Sequence, residues 1–413
     1  MPIVPNNFIN SFPGYEHKLN PETNKMENVF RGEKVGSGGF VWARPGIYSN
    51  VTCLDISSLH PSSAIAMNYF GEYTSRYKEL KDARIAIKKK DFETAKTLLD
   101  GALAPYLENP ENTKALAGAI KLILNSAYGE SAAKYPNAMR DERNVNNIIA
   151  LRGALFMVTL RDEMLARGAR PIHIKTDSIK LVDPSQEDID FACDFAGKYV
   201  YEFAIEHKFD RIALVNESVY IAKLADDDPD DPGQWIATGA QFAEPYVFKT
   251  LFSHEPIEFR DLCIVFNVSK GCLYLDINEE DPDNHAYHFV GRTGLFAPIR
   301  PGMGGGELMK KVDDKYSYPS GAKGYRWLES EMVPKDKVDI FVDRSYYDEL
   351  VRKAVETISK FGDFEAFAGS SPPWVAPCGK DTPSACRDCS NFRIEGDKYT
   401  CDRGFNIADI ILN

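Results

Sequence analysis

The chain has 413 residues, 44% hydrophobic and 27% charged, a balance that suits ordinary globular cores and roughly two or three compact units. No run of about 18 apolar residues occurs, and the start, MPIVPNNFINSFPGYEHK, lacks the basic-then-apolar order of a secretory signal, so no membrane span and a cytoplasmic setting are expected. The formal net charge of −12 argues against indiscriminate coating of nucleic acid, although a local basic groove depends on charge distribution and not on the sum.

In chain order, residues 1–30 are polar and Pro/Asn-rich and read as a surface arm. Residues 31–50 place aromatic and β-branched residues between glycines and read as a hairpin. The apolar run from Val51 ends at Asp55, and the chain turns before Pro61, which suits the first turn of a helix. Residues 74–100 and about 111–128, separated by Asn109-Pro110, form a helical hairpin. A third helix is expected over 143–167, stopped by Gly168, and an amphipathic fourth over 185–207. Ile172–Leu181 reads as two short strands joined at a polar turn with Asp177 at its tip. Residues 211–224 are strand-like, and Asp226–Asp231 is an acidic, solvated loop. Short strands fall in 261–276. The Gly-rich stretch 301–306 lacks the Gly-Lys-Ser/Thr of a phosphate loop and reads as a flexible turn. Residues 345–367 are helical, and the composition shifts again from Ser370.

Cys53, Cys193, Cys263 and Cys272 are isolated and read as reduced core residues, in keeping with a reducing compartment. Cys378, Cys386, Cys389 and Cys401 cluster near the end. Thiolates with one CxxC suit a tetrahedral structural Zn2+ or an iron–sulfur cluster, while the irregular first spacing leaves free thiols or disulfides open. Arg387, Arg393, Lys398 and Arg403 make this tail mildly basic.

Asp177 at a hairpin tip either bonds its own backbone or holds a hard cation through oxygen. Asp55, also at a strand end, is either a turn or cap residue or the second carboxylate of a pair able to bind two divalent ions. Lys121, Asn125 and Tyr128 are spaced i, i+4, i+7 and share one helix face, offering a cation, an amide and a ring to a nucleotide. Arg84 and Lys88 are i, i+4 on the preceding helix and suit either the same ligand or solvent; Lys89 and Lys90 read as solvated.

These residues resemble the motifs of family B DNA polymerases. Asp55-Ile56-Ser57-Ser58-Leu59-His60-Pro61-Ser62 is similar to DxxSLYPS, Lys121–Gly129 to KxxxNSxYG, and Thr176-Asp177-Ser178 to the end of DTDS, in the family's order. The likeness covers roughly residues 30–370 and is nearest to phage-encoded enzymes, which would place the chain in a host cytoplasm. It implies an α+β right-hand polymerase. An antiparallel palm sheet would come from 31–74 and 129–235, helical-hairpin fingers from 75–128 and a mixed α/β thumb from 236–369, framed by the arm (1–30) and a small Cys-rich tail (370–413). It further implies template-directed addition of dNTPs to a primer 3′-hydroxyl. Asp55, Asp177 and the Ile56 carbonyl would hold two Mg2+ ions; Ser58 and Leu59 amides with Lys121, Arg84 and Lys88 would take the triphosphate; Asn125 and Tyr128 would line the base pocket. Tyr220 and Lys223 resemble the region that meets the primer, although the usual Lys-x-Tyr order is missing.

Three departures stand out. Lys175 replaces the first Asp of DTDS and adds positive charge where DNA or pyrophosphate would pass. His60 replaces the Tyr that excludes a ribose 2′-hydroxyl, which opens a primase-like alternative tolerant of ribonucleotides. Only 54 residues precede Asp55, too few for the family's proofreading domain, so the exonuclease is either a separate polypeptide or absent; the first case predicts that polypeptide and other replisome proteins as partners beside primer-template DNA. The other alternative is a non-catalytic DNA-binding or assembly subunit.

Overall fold

The computed structural model describes residues 6–36, 38–137, 140–144, 146–278, 281, 283–369 and, beyond these, strands within 392–401 and 405–406. The chain is mixed α+β with antiparallel sheets. It divides into two compact units: the chain up to Glu217 with Ala222–Gln234, and Ser218–Ile221 with the chain from Trp235 onward.

The first unit opens with α1 (Asn6–Ser11) and the meander β1 (Glu16–Asn20), β2 (Lys25–Phe30) and β3 (Glu33–Val35). The expected surface arm is therefore folded structure. Phe8 and Phe12, one helical turn apart, are buried with Phe30, and Phe12 stacks on Tyr199. Next come β4 (Val41–Ala43), β5 (Gly46–Ile56) and α2 (Leu59–Ala66). The expected hairpin over 31–50 is absent, because β4 pairs with β6 (Pro171–Lys175) and not with β5. β7 (Ser178–Val182) and β8 (Phe203–Asn216) complete an antiparallel order β8-β5-β7-β6-β4.

Strand alternation decides what each face of this sheet carries. Leu54, Ile56, Ile174, Ile179, Leu181 and Phe203 point into a core shared with α2, α6 (Ile148–Ala166) and α7 (Gln186–Lys198). α6 is buried on every side from Ile148 to Arg161, and a Cβ on Gly153 would come within 2.8 Å of Leu59, so α2 and α6 meet almost backbone to side chain. Asp55, Ser178 and Lys180 occupy the other face.

α3 (Thr74–Lys88), α4 (Phe92–Thr97) and α5 (Pro110–Ser131) have an apolar cluster of their own, with Ala83, Ala86 and Ile87 against Leu103, Leu107, Ile120 and Leu124. The expected single helix over 74–100 breaks at Lys89, after which the Asp91 side chain caps α4 by accepting from the Thr94 amide. Likewise, the expected helix over 185–207 ends at Lys198. Val200 takes φ 66°, a conformation hostile to a β-branched residue, and β8 begins at Phe203. The run 211–224 splits into the end of β8 and β9 (Val219–Leu224). The loop 226–231 is pinned and not merely solvated: the buried Asp228 carboxylate accepts the backbone N–H groups of Lys208, Asp230 and Asp231.

The second unit continues with β10 (Trp235–Thr238), α8 (Ala240–Ala243), α9 (Pro245–Phe248), β11 (Ile264–Asn267), β12 (Cys272–Asp276), β13 (Tyr287–Gly291), β14 (Thr293–Ile299), β15 (Glu307–Val312), β16 (Lys315–Ser317) and β17 (Arg326–Glu329). Sheets β11-β14-β17 and β13-β12-β15-β16 enclose a core around Trp327, Phe296 and Leu273. The Gly-rich stretch ends as a tight crossing, not a flexible turn. Gly306 exchanges both backbone hydrogen bonds with Trp327, and a Cβ there would lie 2.1 Å from the Asp276 carbonyl. After α10 (Val338–Phe341), the expected helix over 345–367 is two, α11 (Ser345–Ser359) and α12 (Phe364–Ala368), with the Asp363 side chain capping the second. A last meander, β18 (Phe392–Glu395), β19 (Lys398–Cys401) and β20 (Phe405–Asn406), lies in the tail; Cys401 ends β19, while Cys378, Cys386 and Cys389 fall outside the described residues. Among the described residues no helix is long and apolar enough to cross a membrane.

Candidate active site

The β6–β7 turn is built before any ligand is considered. Thr176 takes φ 58° and donates its amide to the Phe40 carbonyl at 2.9 Å, and Asp177 accepts from the Ile56 amide through its carbonyl at 2.9 Å. Since Asp55 pairs with Ser178, the register sets both carboxylates at the same end of the sheet. α2 starts directly after β5. Ser58, in a left-handed conformation, precedes its first turn and accepts a hydrogen bond from Arg84 of α3 at 2.7 Å.

These elements surround a cleft of about 730 Å³ whose lining includes Asp55, Ile56, Ser58, Leu59, His60, Arg84, Lys88, Lys121, Asn125, Lys175 and Asp177. Tyr128 stands behind it, its ring stacked on His60 at 4.5 Å and 21° and its hydroxyl donating to Asn147 Oδ1 at 2.8 Å. Burial lowers the His60 pKa, so the imidazole is neutral near pH 7. Tyr220 and Lys223 are carried by β9, and the lining contains neither. Lys89 also lines the cleft and reaches Glu202 at 3.1 Å, as an exposed pair.

Sequence reasoning missed a third acid. Glu206 lines the same cleft from β8. Between Cys53 and Leu54 the β5–β8 register slips by one, so Glu206 is the extra residue of a β-bulge, a device that re-aims side chains beside sites. Its Oε2 accepts from Cys53 Sγ at 3.7 Å. The signal was a carboxylate inside the strand-like Phe203–Phe209 run, hidden by extending the preceding helix across it.

The electrostatics follow from this crowding. Burial, then the charges of Asp177 and Glu206, push the Asp55 carboxyl up to about 7, against the pull of Lys88 and Lys180. Asp177 is raised chiefly by burial and also by Glu206, with Lys121 and Lys180 opposing. Burial lowers the pKa of Arg84. Acids thus line the floor, and cations from α3 and α5 face them.

No family model and no curated protein matches the chain. Among solved structures it is similar to a family B DNA polymerase from the hyperthermophilic archaeon Pyrobaculum calidifontis, at 14% identity and a TM-score of 0.42, over 82% of this chain and 49% of that one. The chain therefore spans about half the length of that polymerase. A likeness of that size leaves function to be argued from the site.

The donor set suits a hard divalent ion. Asp55, whose carboxyl is raised by burial and then by its acidic neighbours, gives up its proton more readily to a cation that offsets both. Among the described residues, no three His, Cys, Asp or Glu side chains close a cage around a metal. Mg2+ in general is bound through one or two carboxylates and relies on substrate phosphates for further ligands.

Proposed function

We propose that this cleft is the active site of a template-directed DNA polymerase with palm, fingers and thumb parts, adding dNTPs to a primer 3′-hydroxyl. The observation that carries the reading is the gathering of Asp55 and Asp177 with Arg84, Lys88 and Lys121 in one cleft, from four separate stretches of the sequence. Asp55, Asp177 and the Ile56 carbonyl would hold the two Mg2+ ions, with Glu206 beside them. When bound, such ions lower the cost of the charge that develops on the attacking and leaving oxygens.

The chain's own groups do the remaining work by position. Arg84, Lys88 and Lys121 neutralise the triphosphate, and the amides at the start of α2, near Ser58 and Leu59, donate to its oxygens. The Tyr128–His60 stack and Asn125 orient the base and sugar. Lys175 adds a cation on the side of the turn where pyrophosphate leaves. Phosphoryl transfer asks for little beyond such positioning and charge stabilisation. Primer extension with the wild type, Asp55→Ala and Asp177→Ala tests the reading. Extension by the wild type alone supports it; no addition by the wild type, or continued addition by both variants, sinks it in favour of a DNA-binding or assembly role.

A second reading, a polymerase that accepts ribonucleotides, is favoured by His60, a smaller ring than Tyr held flat on Tyr128. The ratio of dNTP to NTP incorporation should rise in His60→Tyr. The four tail cysteines are assigned to a structural Zn2+ on spacing alone, and zinc analysis of the purified protein before and after Cys386→Ser checks it. A separate exonuclease partner is tested by co-purification.

A further inference from the structure

Lys180 lies one row behind the carboxylates. It follows Ser178, the partner of Asp55, by two residues on β7, and so stands on the same face about 7 Å further along the strand. It faces Cys53 on β5 and His173 on β6, and its Nζ is 5.8 Å from the Phe209 ring centroid on β8. The residue is only 4% exposed. Lys180 is the basic member of that row, whose other members, Cys53 and His173, contribute no carboxylate. An ammonium taken out of water needs opposing charge. Asp55 and Asp177 supply it from the adjacent row, while Lys88 of α3 acts on Asp55 and Lys121 of α5 on Asp177 from the cleft side.

We propose that Lys180 is a built-in counter-cation, a positioning residue whose fixed charge holds the affinity of the carboxylates for divalent ions low enough that substrate phosphates must complete the site. The inference rests on reading Asp55 and Asp177 as ion ligands. Its sign is unusual: removing a structural residue weakens a site, whereas removing this cation tightens it.

The test is Mn2+ binding to the full chain without nucleotide or DNA, followed by the loss of the free-ion electron paramagnetic resonance signal, for wild type, Lys180→Met, Lys180→Gln, Lys180→Arg and Asp55→Asn. Loss of one unit charge at this separation should make Mn2+ bind about tenfold tighter in K180M and K180Q. K180R should match the wild type and D55N should bind more weakly. Unchanged or weaker binding in folded K180M and K180Q overturns the assignment, as does failure of both to fold. If the wild type binds Mn2+ no better than D55N, the ion-ligand reading falls as well. Tight wild-type binding with unmoved Lys180 variants removes only the role given to Lys180.

Discussion

Two half-buried acids, one in each unit, are pushed to the same place on the pH scale in different company. Asp55 and Glu244 both reach about 7, in each case chiefly by burial. Asp55 shares a cleft with Asp177 and Glu206 and feels Lys88 and Lys180. Glu244, at the start of α9, feels only the like charge of Asp261, and its Oε1 has no hydrogen-bond partner among the described residues. Asp261 is itself occupied with Lys249 at 2.9 Å and the Glu258 amide at 2.7 Å. A raised carboxyl therefore does not mark a site. What separates the two is the company: convergent acids with facing cations in an open cleft, against one acid stranded among apolar and aromatic neighbours such as Tyr347, whose own hydroxyl also lacks a partner among the described residues.

The largest expected effect is on nucleotide addition. Asp55→Asn and Asp177→Asn should each lower primer extension by at least about a thousandfold without lowering the melting temperature of the ion-free protein, since each removes a repelling charge. Glu206→Gln should cost about ten- to a hundredfold in the same assay, as expected of a group that supports the ligands. Equal losses in all three would make Glu206 a full member of the ligand set.

At Glu244 the effect should be on stability alone. Its folded pKa lies above the usual carboxylate value, so the folded state holds the proton more tightly. Stability is then full at low pH, falls as pH rises from about 4.5 through about 7, and stays down above that. Glu244→Gln should erase this slope and stabilise the protein by about 1–2 kcal/mol at pH 8, with no gain at pH 4 and no change in primer extension. The smallest expected effect is a rise of a few degrees in melting temperature with Mg2+ at pH 8, absent at pH 5 where Asp55 keeps its proton, and absent in Asp55→Asn at either pH. A rise that survives in Asp55→Asn and disappears in Glu244→Gln would reverse the assignment of the two regions.

What the sequence revealed, and what it hid, has a physical pattern. The hairpin around Asp177 was legible because alternation of Ile172, Ile174, Ile179 and Leu181 leaves few other structures for that stretch. The Lys121–Tyr128 face was legible because helical spacing places those side chains without knowledge of the partner. Glu206 was hidden because a bulge changes which side a strand residue faces, and bulges depend on the neighbouring strand. The end of α7 was hidden because Val200 adopts a backbone conformation its own side chain disfavours, a choice made by tertiary packing. The arm over 1–30 was misread because two phenylalanines one helical turn apart are too few to register as a pattern.

The apolar cluster of α3, α4 and α5, joined to the main core through residues such as Tyr77 and Tyr128, has a consequence for how this chain can be cut. Leu59 seated on Gly153 ties α2 to α6, so the segment between them leaves and re-enters the sheet layer at neighbouring points. That makes it an excisable module: replacing residues 78–127 by a short glycine linker, which keeps Tyr77, Tyr128 and Asn144 on the core they pack against, should leave the sheet and its buried α6 as a folded, inert scaffold, onto which the helical hairpin of another protein could be grafted.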